Sequence, residues 1–104
     1  MPIGSHGHAK AAPHVFVRVF DGELVLLDVA RGDYFGLDAL GARLWEGITS
    51  GRTPHEVAEE ITHDYDVDSA ESVADMTRLA DALVERGLLI ATSTAERHAT
   101  LMID

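Results

Sequence analysis

The 104-residue sequence predicts one small α+β domain, a three-stranded antiparallel meander followed by three helices. Three observations point to it. Apolar residues alternate with a period of two up to Asp38 and recur at helical spacing after it, so strands precede helices. Asp21-Gly22 and Ala30-Arg31-Gly32-Asp33 are turn signals that divide the first part into short strands. Capping signals at Asp38, Thr53 and Asp68 divide the second part into helices.

Residues 14–20 form the first strand, with Val15, Val17 and Val19 on one face and Phe16, Arg18 and Phe20 on the other. Asp21-Gly22 is the dipeptide favoured in two-residue hairpins, where both positions need positive φ. The return strand runs over 23–29, and Gly32 supplies the left-handed residue of the next turn, so Arg31-Gly32-Asp33 is turn chemistry. A short third strand covers 34–37. If both turns are two-residue loops, Val19 faces Leu24, Val17 faces Leu26, Leu26 faces Leu37 and Asp28 faces Phe35. One sheet face is then apolar except for Asp28, while the other mixes Phe16, Phe20, Val25, Leu27, Val29 and Tyr34 with Arg18 and Glu23.

Asp38 caps a helix carrying Leu40, Leu44, Trp45 and Ile48 up to Gly51. Thr53-Pro54-His55-Glu56 is a capping box with proline at the first helical position, and Val57, Ala58, Ile61 and Tyr65 form the inner face behind it. Asp68 and Glu71 open a longer helix that ends at Arg86, where Gly87 takes the left-handed position after it. Leu88-Leu89-Ile90 leaves as a short extended segment. Three closely connected helices beside a small sheet resemble a winged helix-turn-helix. The domain therefore covers residues 14–90. Residues 1–13, with Gly4-Ser5-His6-Gly7-His8, read as a flexible, tag-like tail, and 91–104 as a C-terminal tail.

Composition excludes several functions. Eighteen acids against eight bases leave a net charge of −10, and the arginines are scattered along the chain, so a nucleic-acid backbone is repelled. With no cysteine, disulfides, thiolate catalysis and cysteine-ligated metals are ruled out. No apolar run approaches the roughly 18 residues of a membrane span, and no targeting segment is visible, so a cytoplasmic location is expected. His6 and His8 lie in the tail, with His14 at its end, and the three carry no metal-site expectation. Asp64-Tyr65-Asp66-Val67-Asp68 starts like a calcium loop, but Ser69 stands at its glycine position and Asp75 at its glutamate position. No nucleophile elbow, phosphate loop or carboxylate pair is present; no cofactor and no catalysis are expected.

Binding remains. The last helix carries Glu71, Asp75, Asp81 and Glu85 against Arg78 and Arg86, which argues against a DNA-reading role. The free edge of the third strand suits addition of a peptide strand. Leu26-Leu27-Asp28-Val29 leading into Asp33-Tyr34-Phe35-Gly36-Leu37-Asp38, then Gly41 and Trp45, the capped Thr53-Pro54-His55-Glu56-Val57 helix and the closing Glu85-Arg86-Gly87-Leu88-Leu89 resemble the PqqD-like family of recognition elements for ribosomally synthesised, modified peptides (RiPPs). The resemblance covers residues 15–90, and the small size is similar to the discrete leader-binding proteins of lasso-peptide pathways.

The resemblance implies capture of a precursor's leader peptide and its presentation to a modifying enzyme or leader peptidase, with the leader lying beside the third strand and against the third helix. Tyr34, Phe35, Gly36 and Leu37 would supply the strand edge. On the helix, Val73, Met76, Ala80, Leu83 and Val84 centre on the core face, whereas Leu79 lies to one flank. Leu79, with Met76 and Leu83, is expected to line the leader groove, and Asp75 and Arg86 to select charge at its rim. Phe16, Phe20 and Val25 on the mixed sheet face are expected to dock an enzyme partner or a second copy of the chain, unless the tail ending Leu101-Met102-Ile103 covers them. A nucleic-acid-binding winged-helix regulator and a structural subunit of an enzyme complex are the alternatives.

Overall fold

Asp28 organises the start of the chain. The computed structural model describes residues 3–92, in the order β1 (His8–Ala11), β2 (Val15–Phe20), β3 (Glu23–Asp28), β4 (Asp33–Leu37), α1 (Ala39–Thr49), α2 (Pro54–Asp64), α3 (Ser69–Glu85) and β5 (Leu89–Thr92). β2, β3 and β4 form the expected antiparallel meander, and β1 pairs with β5 in a separate two-stranded sheet. Asp21 (φ 50°) and Gly22 (φ 80°) make the two-residue turn, setting Val19 opposite Leu24 and Val17 opposite Leu26 as expected.

The register of β4 differs from expectation. Leu26 faces Phe35 and Asp28 faces Asp33, instead of Leu37 and Phe35. The Asp28 carboxylate accepts hydrogen bonds from the N–H groups of Ala30 and Arg31, both at 3.1 Å, and its carbonyl accepts from Gly32 at 2.9 Å. These bonds close a four-residue loop rather than a two-residue one, with Gly32 at φ 75°. The slip is of two residues, so every side chain keeps its expected face. Asp28 itself is only 3% exposed.

Helices cover β3 and β4 more completely than β2. Leu24, Leu26 and Leu37 are buried against Leu44, Trp45 and Ile48, whereas Val17 and Val19 are 38% and 69% exposed. The three caps form as read: Asp38 accepts from Gly41 N at 2.8 Å, Asp68 from Glu71 N at 3.0 Å, and Thr53 and Glu56 bond reciprocally. Hydrogen bonding from Thr53 holds the Glu56 carboxyl below its ordinary 4.5, with neighbouring His8 and Arg52 acting in the same direction. The folded-state pKa being depressed, this contribution is complete at neutral pH and is lost as pH falls through the lowered value. α3 ends with Leu88 N bonded to Leu83 O and Gly87 N to Val84 O, the two bonds of a Schellman motif around Gly87 at φ 77°.

Two elements depart from the sequence reading. Residues 8–11 belong to the fold rather than to a tail: β1 pairs with β5, Ala9 and Ala12 are buried, and Ala12 N donates to Leu88 O at 3.1 Å. Upstream, Asp81 accepts from the N–H groups of Ile3 and Gly4. A four-residue strand with two alanines has almost no hydrophobic period, and its partner lies at the other end of the chain. Tyr65 is 49% exposed instead of completing the inner face of α2. Leu101-Met102-Ile103 lies outside the described residues.

α1 and α2 approach closely at Gly47, where an added Cβ would stand 2.3 Å from Val57 Cγ2. Overpacking at such a site costs about 1–3 kcal/mol, against a helix-propensity gain for alanine of about 1 kcal/mol. Gly47→Ala is therefore expected to lower the urea midpoint of unfolding; an unchanged or raised midpoint would show that Val57 moves aside freely.

Candidate functional site: the open edge of β4 and the flank of α3

Pairing arithmetic defines what the edge of β4 offers. A two-residue hairpin closes on a hydrogen-bonded pair, here Phe20 and Glu23, and such pairs alternate along the ladder. Glu23, Val25 and Leu27 therefore bond to β2, leaving Leu24, Leu26 and Asp28 to bond with Leu37, Phe35 and Asp33. The outward N–H and C=O groups of β4 are those of Tyr34 and Gly36. Phe35 and Leu37, expected to share in the edge, use their backbone groups on β3 and contribute side chains to the inner face instead. Gly36 carries no side chain, and the space on the outer sheet face where a Cβ would stand is open.

Beside this edge runs one flank of α3. Ser72, Met76, Ala80 and Leu83 form its buried stripe, and Ser72 Oγ donates to Ala58 O of α2 at 3.2 Å. Leu79 is half-buried, touching the core from the side. Asp75 and Arg86 are exposed on the same flank; Asp75 pairs with Arg78 at 3.1 Å, and the Arg86 guanidinium lies 4.8 Å above the centroid of the Phe35 ring. Leu83 is fully buried and does not line a groove, which corrects its expected role. It follows the same i, i+4, i+11 spacing as the core residues, whereas Leu79 is rotated out of that stripe.

Two hollows mark the ends of the seam. One, of about 350 Å³, is walled by Tyr34, Phe35, Asp28, Arg31 and Arg86, where β4 begins and α3 ends. The other, of about 390 Å³, is walled by Leu40, Tyr65, Val67, Asp75 and Met76, just past the end of β4 and beside the first half of α3. Met76 thus meets the hollow with a nearly buried side chain. Leu40, Tyr65 and Val67 were not among the expected site residues. Their signal was present: Tyr65 and Val67 alternate with acids in a non-helical linker, and all three apolar side chains are at least a third exposed.

On the outer sheet face, Phe16 is 49%, Phe20 63% and Tyr34 77% exposed, and Val25 is half-buried. His6 stacks on His55 at 4.8 Å, and His55 Nδ1 lies 3.3 Å from Glu59. Among the described residues no group of three or more His, Asp or Glu is placed to hold a metal ion, and no helix is long and apolar enough to cross a membrane.

The family model described as coenzyme PQQ synthesis protein D (PqqD) matches residues 23–89, the segment that contains β4, all three helices and both hollows. The chain belongs to the PqqD family. A solved structure described as TbiB1 in complex with the TbiA(beta) leader peptide is 34% identical with a TM-score of 0.72, covering 81% of this chain and 98% of its own. A second, lasso peptide synthetase B1 complexed with the leader peptide, is 28% identical with a TM-score of 0.75, covering 80% and 98%. No curated protein matches the chain.

The division of α3 in this PqqD-family chain separates stability from surface. Leu83→Ala is expected to cost about 2–5 kcal/mol, and Leu79→Ala distinctly less, in paired chemical-denaturation curves. Equal losses would place Leu79 in the core proper.

Proposed function

We propose that this PqqD-family protein binds the leader segment of a ribosomally synthesised precursor peptide as an added strand on β4 and presents it to a modifying enzyme or leader peptidase of lasso-peptide biosynthesis. The observation that carries the reading is the unpaired backbone of Tyr34 and Gly36 beside the half-buried flank of α3. Its support from kinship is that both solved relatives hold leader peptides.

Strand addition would satisfy up to four backbone groups, each bond contributing about 0.5–1.5 kcal/mol net. These bonds are indifferent to leader sequence. Selectivity then rests on side chains that enter the hollows, with Leu79 and Met76 as apolar floor between them and Asp75 and Arg86 at the rim. The protein acts as a carrier and not a catalyst, and the chemistry belongs to its partner enzyme. The cytoplasm is the compartment in which a newly made precursor is available. Acids outnumber bases on α3, which disfavours the nucleic-acid alternative.

Titrating a synthetic leader, its sequence taken from a short precursor gene sought in the neighbouring DNA, is expected to give saturable binding in the micromolar-to-nanomolar range. Leu79→Ala should weaken it by about 10-fold or more, the loss of one apolar anchor at ~1.5–3 kcal/mol. Absence of binding, or binding that Leu79→Ala leaves intact, would count against the groove.

Phe16, Phe20 and Val25 form the docking face for the enzyme partner or for a second copy of the chain in this reading. Phe20→Lys should reduce enzyme coupling or self-association while leader affinity stays constant. If both coupling and self-association are unchanged, the outer face has no such role.

A further inference from the structure

The arginines of this acidic chain are not equivalent. Arg43 pairs with Asp64 at 2.7 Å, Arg52 with Glu60, and Arg78 with Asp75, while Arg18 donates to the Val17 carbonyl. Among the described residues Arg31 and Arg86 have no carboxylate partner, and the fold brings both to the wall of the same hollow where β4 begins. In sequence they are far apart. Each is steadied from behind. Arg86 lies over the Phe35 ring, and the Arg31 backbone N–H is held by Asp28.

Two carboxylates share that wall without forming an ion pair to either arginine. Asp28 is 3% exposed, and its Oδ1 accepts from Ala30 N and Arg31 N, with His14 Nε2 at 3.7 Å. Asp33 is exposed and forms no ion pair with either arginine. Leu26 and Leu88 supply apolar wall, which strengthens a charge interaction made there.

The geometry points to a carboxylate-binding subsite at this end of the groove, taking an Asp or Glu side chain of the leader between the Arg31 and Arg86 guanidiniums. The inference rests on strand addition to β4 and sharpens it. With Tyr34 and Gly36 bonding to the leader, the leader residue opposite Phe35 points to the same face as Phe35, toward Arg86. A planar guanidinium suits two-point recognition of a carboxylate, and a cation fixed over an aromatic ring loses little freedom on binding. Because the net charge of −10 repels an acidic peptide at long range, the subsite acts at close range and sets register rather than capture.

Random peptides displayed on phage provide the test. They are selected in parallel on the wild-type protein, on the Arg31→Gln/Arg86→Gln double variant and on Arg31→Glu/Arg86→Glu, each first shown by thermal melting to be folded. Wild type is expected to recover peptides with Asp or Glu at one fixed position, the glutamine variant to lose that preference, and the glutamate variant to select Lys or Arg there. For one recovered peptide, changing that acid to its amide should weaken wild-type binding by about 10- to 100-fold, as loss of a charged hydrogen bond predicts, and leave binding to the glutamine variant unchanged. Peptides without a fixed acidic position, or equal losses in both proteins, overturn the subsite. Strand addition is judged separately with Gly36→Pro and Tyr34→Pro, which remove outward N–H groups. Recovered peptides that bind these as well as wild type, or no recovered peptides at all, overturn strand addition itself and the subsite with it.

Discussion

The buried Asp28 carboxylate is the constraint on which the rest depends. Placed at the end of β3, it satisfies two loop N–H groups and so fixes a four-residue connection to β4. That connection sets the register of the edge strand, and register decides which backbone groups face β3 and which face solvent. A one-residue change would turn Phe35 and Leu37 out of the core and bring Tyr34 into it. The same loop carries Arg31 to the hollow where α3 ends. Edge chemistry, core filling and the charge at one end of the groove thus share a single origin.

α3 shows how one helix serves two purposes. Its buried stripe through Met76, Ala80 and Leu83 packs on α2 and the sheet, while Leu79 and Arg86 lie about a quarter-turn aside, less buried than that stripe. The Schellman closure at Gly87 then turns the chain sharply, so Leu88 and Leu89 return to the core and β5 pairs with β1. The helix is held on both sides without filling the space next to β4. An edge strand left open is an aggregation hazard, so an edge beside a shaped groove is best understood as a reserved binding position.

Much was legible along the chain because its signals are local. Asp21-Gly22 specified a hairpin through the need for positive φ, the box at Thr53 and Glu56 marked a helix start, and the alternation of β3 named Leu24 and Leu26 as core. What was misread lies where the deciding partner is remote. Ala9 and Ala12 gave no period, and they are buried only because β5 and α1 lie against them. Leu83 and Leu79 are the same residue type four positions apart, and only the contacts around α3 bury one completely and leave the other half-buried at the edge of the core. The β4 register failed for a subtler reason: a turn residue can act through its side chain, and the loop length follows from that bond.

The sequence by itself determined the order of elements, the faces of the strands, the helix caps and the acidic balance, all of which follow from interactions between near neighbours in the chain. Tertiary structure alone decided which backbone groups of β4 remain free, which side of α3 lies nearest them, and that Arg31 and Arg86 line one hollow while Arg43, Arg52 and Arg78 pair with carboxylates elsewhere. The physical reason is that a groove is a relation between surfaces, and its shape and charge arise only when segments distant in sequence are fixed against each other by burial.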